Sequence, residues 1–286
     1  ISPTIWVKFP LISKEKPYEE SSILIWTTTP WTIPANRAIA FSSKYEYGLY
    51  EVIEIEEGSL AKIGEKIIIN NSLKENLENA SKTKINLIQN VDEIEKLVCQ
   101  HPFNSLGYDF DIPLLEGEFV TDETGTGFVH IAPSHGQDDY DLASKNGIEA
   151  PFMIDDEGIY LPSVKVFAGK KVYEDDGSYG DGNGAVIREL INCNALFAKG
   201  KLRHQYPHSW RSKAPLLFRN TPQWFISMEK NNLRNKSLSE IENVEWIPKR
   251  GKNRIKSMVD NRPDWVVSRQ RAWGVPLAIF LNKKTG

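Results

Sequence analysis

Residues 23–36, ILIWTTTPWTIPAN, constrain this chain more than any other stretch. Ile23 and Ile25 belong to a short β-branched run of the kind that fills a buried strand. Thr27, Thr28 and Thr29 end that strand, and Pro30 stops the ladder because it carries no amide donor. Successive strand residues face opposite sides of a sheet, so the three hydroxyls point to alternate faces. Each hydroxyl donates one hydrogen bond and accepts two, a supply better matched to a polar ligand or ordered water than to a core. A threonine-rich edge strand with no chemical task is the plain alternative for these residues taken alone.

A second stretch shifts that balance. Residues 125–141 read GTGFVHIAPSHGQDDYD. Gly125-Thr126-Gly127 permits positive φ and close backbone approach, and residues 128–131 carry His130 on a short strand. Pro133 to Gly136 make a turn. Asp138, Asp139 and Asp141 then fall in a first helical turn, where carboxylates are favoured electrostatically. Two polar clusters, each set in an apolar strand and bounded by Gly or Pro, make a better site candidate than either alone.

The totals set the frame. A chain of 286 residues holds one large or two medium domains. No apolar run approaches the ~20 residues of a membrane span, and no signal-peptide pattern is present. Cys99 and Cys193 are too few for a disulfide scaffold and fit a reducing compartment, so a cytoplasmic location is expected. The chain opens on Ile1, and the apolar run 277–280 precedes its end, which reads as a piece cut from a longer protein. Charge is unevenly spread. Residues 201–286 hold 18 of the 35 basic residues but only 6 of the 38 acidic ones, leaving 17 basic against 32 acidic in the first 200. That split points to two units, the second facing a polyanion.

In chain order, strands are expected at 4–9, 23–29, 38–41, 45–55 and 66–69, with a polar loop at 14–20. Asn71 or Ser72 caps a helix with Leu73, Leu77 and Ala80 on one face. Asn90 or Asp92 starts a shorter helix with Ile94, Leu97 and Val98. Residues 108–120 are extended, and a helix at 139–145 closes on Gly147. A glycine-rich loop fills 174–184, and Asn183 caps a helix through Cys193. Beyond His204 the composition turns to Trp, Arg and Pro, with a helix at 224–233 and a strand at 265–267. Many short strands with few helices predict a mixed α and β fold, mainly β and barrel-like.

The motifs WTTTPWT…PAN, GTGFVHIAP and HGQDDY together resemble the editing domain of isoleucyl-tRNA synthetases. Downstream, YPHSWRSKAPLLFRNTPQWFISM and RPDWVVSRQRAWGVP are similar to the segments that lead that family back to its nucleotide-binding core. The resemblance covers essentially the whole chain in order. Trp31 and Asn36 favour the isoleucyl family over its leucyl and valyl relatives, whose threonine-rich segments continue with an Arg after two threonines. It implies an editing domain at 1–203 and a basic connecting segment at 204–286. The HIGH and KMSKS signatures of amino-acid activation are absent, so ATP and Mg2+ belong to a whole enzyme and no cofactor is expected here. Ser209 and Ser212 stand where relatives often carry cysteine, so no zinc site is implied.

The implied activity is hydrolysis of valine wrongly esterified to the isoleucine tRNA, with the tRNA 3′ end and the rest of the synthetic core as partners. By similarity, Asp139 holds the substrate ammonium, and Thr27, Thr28 and Thr29 position the terminal adenosine, the ester and the attacking water. Asn36 supports that geometry through its amide. Trp26, Gly125, Thr126, Gly127 and His130 line the substrate, with His130 as a pocket wall rather than a general base. Three alternatives stay open: a tRNA-end binding module without hydrolysis, the equivalent domain of a leucyl or valyl enzyme, and a metal-dependent hydrolase using His130, His135, Asp138 and Asp139. The last has poor ligand spacing, with Pro133 between the histidines.

Overall fold

A computed structural model describes residues 1–13, 16–270 and 274–284. Residues 14 and 15 of the expected polar loop and 271–273 of the RPDWVVSRQRAWGVP motif lie outside them. The chain divides into two compact units, Ile1–Asn220 and Thr221–Gly286.

The first unit runs β1 (Ser2–Pro10), β2 (Ser21–Thr27), a 3-10 turn (Pro30–Ala35), β3 (Ala38–Phe41), β4 (Tyr47–Ile55), β5 (Lys66–Asn70), α1 (Lys74–Ser81), β6 (Thr83–Val91), β7 (Val98–Gln100), β8 (Asp111–Glu116), β9 (Val129–Ile131), α2 (Gln137–Lys145), α3 (Asp181–Asn192) and β10 (Leu196–Leu202). Two open sheets result. One has six strands in the order β10-β1-β2-β5-β4-β6, the other four in the order β7-β8-β3-β9. The mixed, mainly β class is as the sequence predicts, with open sheets in place of a closed barrel.

The alternation along β2 explains its central position. Ile23 and Ile25 face the main core with Ile5, Val7 and Phe9 of β1, while Leu24 faces a second core with Ile67, Ile69 and Phe197. A strand covered on both faces must be apolar throughout. By the same alternation Thr27 shares the face of Ile25, whereas Trp26 lies on the other side against Trp6, ring centroids 6.3 Å apart.

Several local expectations need correction. Residues 92–98 form no helix: Glu93 is left-handed at φ +55, only a 3-10 turn (Ile94–Lys96) follows, and Val98 joins β7. Asn183 does not cap α3, which begins at Asp181 with Gly180 as its cap, so the glycine-rich loop ends earlier than expected. Ala80 is exposed while Leu73 and Leu77 are buried, and the side chain that caps the turn before α1 is Asn70, accepting from Ser72 N. Strands β6 and β10 are additions; each extends the large sheet from a segment whose alternation is interrupted by polar residues. The closure of α2 is as expected: Gly147 is at φ +70, and Gly147 N and Ile148 N bond back to Ser144 O and Ala143 O.

The second unit pairs β11 (Phe225–Ile226) with β12 (Trp265–Val266) and packs α4 (Leu233–Asn243) on α5 (Arg250–Asp260). Residues 224–233 therefore are not the expected helix. Asn231 and Asn232 both have positive φ, so the helix starts only after them. Arg234 ties the two helices together, its guanidinium donating to the carbonyls of Val259, Asp260 and Arg262 at the α5 end. No helix among the described residues is long and apolar enough to cross a membrane.

Candidate functional site

The tip of β2 and the strand β9 pack against each other, and their polar residues form one continuous relay. Antiparallel pairing sets Ile39 opposite His130 and Ala38 opposite Ile131. Asn36, at the end of the 3-10 turn, is fully buried. Its Nδ2 donates to Ala38 O at 2.9 Å and to His130 Nδ1 at 2.7 Å. A carbonyl oxygen only accepts, so the contact with Ala38 fixes the amide's orientation. His130 Nδ1 is thereby an acceptor and Nε2 carries the proton, donating to Thr32 Oγ1 at 3.0 Å. Thr32 Oγ1 in turn donates to Thr29 O at 2.9 Å.

The relay ends in the threonine turn. Thr29 N donates to Thr27 Oγ1 at 3.1 Å, and the hydroxyls of Thr27 and Thr29 lie 3.1 Å apart. This local side-chain turn lets the chain leave the strand and enter the 3-10 turn at Pro30. Thr28 differs from its neighbours. It is half-buried, and its hydroxyl has no hydrogen-bond partner among the described residues. Asn36 Oδ1 is likewise without a partner among them, but Asn36 is fully enclosed, so its amide acts on the site only through His130.

Asp139 occupies the first turn of α2 but folds back, accepting Ala132 N at 2.8 Å through Oδ2. Gly136 makes room for it, since a Cβ there would stand 2.9 Å from the Asp139 carboxyl carbon. Burial pushes its pKa up to about 6, against the lowering influence of the Ala132 amide. A desolvated carboxylate of this kind is poised to gain from an incoming cation. Burial drives His130 the other way, down to about 3, with His135 adding repulsion. His130 is therefore neutral, and both ring nitrogens are engaged by the protein, which fits a wall or positioning role and not a metal ligand. Among the described residues no group of three or more His, Cys, Asp or Glu is arranged to hold a metal.

The glycine pair supports the same region. Gly127 has φ +78, and a Cβ there would fall 2.3 Å from that of Asn70. Thr126 O accepts from Asn70 N and Gly127 O from the Tyr47 hydroxyl, pinning the loop to β5 and β4. Gly125 lies against the Trp26 ring, 3.4 Å from its would-be Cβ. Thr126 itself is fully buried with its hydroxyl turned to the Phe128 backbone, so it shapes the loop.

Sequence reasoning passed over Thr32, the link between His130 and the threonine turn, and Asn183, whose Oδ1 accepts Trp31 N at 3.0 Å. Tyr160 also donates its hydroxyl to Trp31 O. Thr32 sits within the quoted WTTTPWT motif and was legible there. Asn183 lies 152 residues from Trp31, and only the folded chain brings them together.

The family model of class I tRNA synthetases (I, L, M and V) matches residues 3–286. The chain belongs to this family. Within the class I synthetases, it is 46% identical over 308 residues to the isoleucine–tRNA ligase of Rhodopseudomonas palustris, covering 99% of this chain and 31% of that protein. Its identity to the isoleucine–tRNA ligase of Agrobacterium fabrum is 46% over 305 residues, covering 99% and 32%. The chain thus spans about a third of the length of these relatives. In fold it is similar to the editing domain of P. knowlesi cytosolic leucyl-tRNA synthetase, with a TM-score of 0.51 at 12% identity, covering 70% of this chain and 96% of that one.

Proposed function

We propose that the first unit is an editing hydrolase that cleaves the ester of valine mischarged onto the isoleucine tRNA. The observation that carries this reading is the threonine turn: two hydroxyls are locked to each other and to the His130 relay, while that of Thr28, at the strand tip, has no partner among the described residues. The desolvated Asp139 carboxylate supplies the charge that captures the substrate ammonium. Thr28 orients the ester and an attacking water, with Asn36 acting from behind through His130, so the gain is positional. Water adds to the ester carbonyl, the carbonyl re-forms, and valine leaves as its carboxylic acid while the ribose oxygen takes the proton.

The need for such a site follows from pocket energetics. One methylene separates isoleucine from valine, worth only ~1–3 kcal/mol in a hydrophobic pocket, a figure established on enzymes of this kind. A smaller second pocket reverses the test, because forcing an extra methylene into a rigid wall costs ~1–3 kcal/mol or more. His130 is suited to form that wall, since bonds at both nitrogens fix its ring. Incubating the chain with Val-tRNA(Ile) tests the activity: valine release lost in Asp139→Ala supports it, and release unchanged in that variant removes Asp139 from the site.

A further inference from the structure

Outside the relay, a cavity of about 220 Å3 in the first unit is lined by Arg37, Tyr108, Asp109, Phe110, Phe152 and Lys165, among others. We propose that it binds one unpaired nucleotide of single-stranded RNA, the one preceding the esterified nucleotide; this placement rests on the editing reading above. The charges come first. The Arg37 guanidinium lies 4.4 Å above the Phe110 ring and the Lys165 ammonium 5.4 Å from the Tyr108 ring centroid. Neither cation has an acidic partner among the described residues. Among the described residues Arg37 donates through Nη1 alone, to Asn36 O at 2.5 Å and Pro34 O at 3.3 Å, which leaves Nε and Nη2 for an anion. Burial lowers the Arg37 pKa, so an anion arriving there relieves a cost already present.

The rings and the acid narrow the ligand further. Aromatic faces with unpaired cations are the means by which proteins hold single-stranded nucleic acid, through stacking plus phosphate contact. Phe152 is a large ring at this cavity and is 50% exposed. Asp109 is exposed, has no partner among the described residues, and matches the exocyclic amino group of cytosine. The volume falls short of the ~300–1,000 Å3 typical of sites for whole drug-sized ligands, and suits a single base. Arg37 directly follows Asn36 in the chain, and its own amide bonds Ile131 O at 2.9 Å, next to His130 on β9.

The test uses the full chain and an uncharged ACCA tetranucleotide, so it is independent of hydrolysis. Phe152→Ala and Lys165→Gln, both at exposed positions, are each expected to weaken binding roughly tenfold, and Lys165→Gln to flatten the salt dependence by about 0.7 in log–log slope. An abasic unit at the penultimate position should weaken wild-type binding similarly and cost nothing more in Phe152→Ala. Binding unchanged in both variants, or an abasic penalty undiminished in Phe152→Ala, overturns the assignment. So does cytidine 5′-monophosphate binding as tightly as the tetranucleotide, which would mark a free-nucleotide site. Tetranucleotide binding with these losses but no valine release would uphold the pocket and refute the deacylase.

Discussion

Asn36 Nδ2 and His130 Nδ1 stand 2.7 Å apart, and that contact decides which nitrogen of the histidine holds its proton. Because Asn36 also donates to Ala38 O, the amide cannot flip without facing oxygen to oxygen. Nitrogen-15 NMR should therefore show His130 as the Nε2–H tautomer, still neutral at pH 5. An Nδ1–H tautomer, or titration near 6.5, would contradict the relay. Thr32→Val removes the acceptor of Nε2–H, and an unpaired buried donor costs ~1–3 kcal/mol, readable as a fall in the denaturant midpoint.

Thr28→Ala should separate activity from stability. The hydroxyl has no partner among the described residues, so the stability change is expected within about 0.5 kcal/mol. Deacylation should nevertheless fall on the order of 100-fold, the usual effect of losing one positioned polar contact at the reacting centre. A large loss of stability with activity intact would reverse the role assigned to this residue.

Asp139 predicts a pH profile. Capture of an ammonium needs the ionised carboxylate, and its pKa is raised to about 6, so deacylation should fall as pH drops through about 6. Stability responds with the opposite sign. A carboxyl whose folded pKa lies above its unfolded value stabilises the fold below the unfolded pKa, and that contribution is lost as pH rises through the folded pKa. Asp139→Asn, which keeps an acceptor for Ala132 N, should therefore be inactive yet more stable at pH 8 by on the order of 1–3 kcal/mol, with the gain vanishing near pH 4. Equal stability at both pH values would show that burial does not strain this group.

Three histidines, His101 and His130 buried and His135 half-buried, make the first unit acid-sensitive. Burial lowers His101 and His130 to about 3 and His135 to about 4. Depressed pKa values give stability that is present above the unfolded value near 6.5 and is lost as pH falls toward the folded ones. Asp139 offsets one of the three protons below pH 6. Unfolding free energy should then fall by on the order of 2–3 kcal/mol per pH unit between pH 6 and 4. Urea titrations across that range measure it, and a flat profile would mean that the histidines are not neutral in the fold.

Much of this architecture was legible from residue pattern alone. The alternation at Ile23, Ile25 and Thr27 set the central strand, and Gly147 closed α2 where a left-handed residue was needed. What stayed hidden depended on partners distant in the chain or on backbone signs that side-chain type does not declare. Glu93, Asn231 and Asn232 take positive φ and cut short two expected helices. Asn183 has the composition of a helix cap but turns inward to hold Trp31 N. The candidate site residues were visible because they cluster in two motifs. Thr32 stands in one of those motifs too, but its part in the relay stayed hidden, because a hydroxyl's donor and acceptor roles emerge only once His130 faces it across the fold.

The central claim is selective cleavage at the threonine turn, and its most direct test is a parallel assay of Val-tRNA(Ile) and Ile-tRNA(Ile) with the same chain. The account predicts release of valine about tenfold faster than release of isoleucine, the ratio that a methylene clash of ~1.4 kcal/mol imposes. Equal release of both amino acids, or of neither, would contradict it.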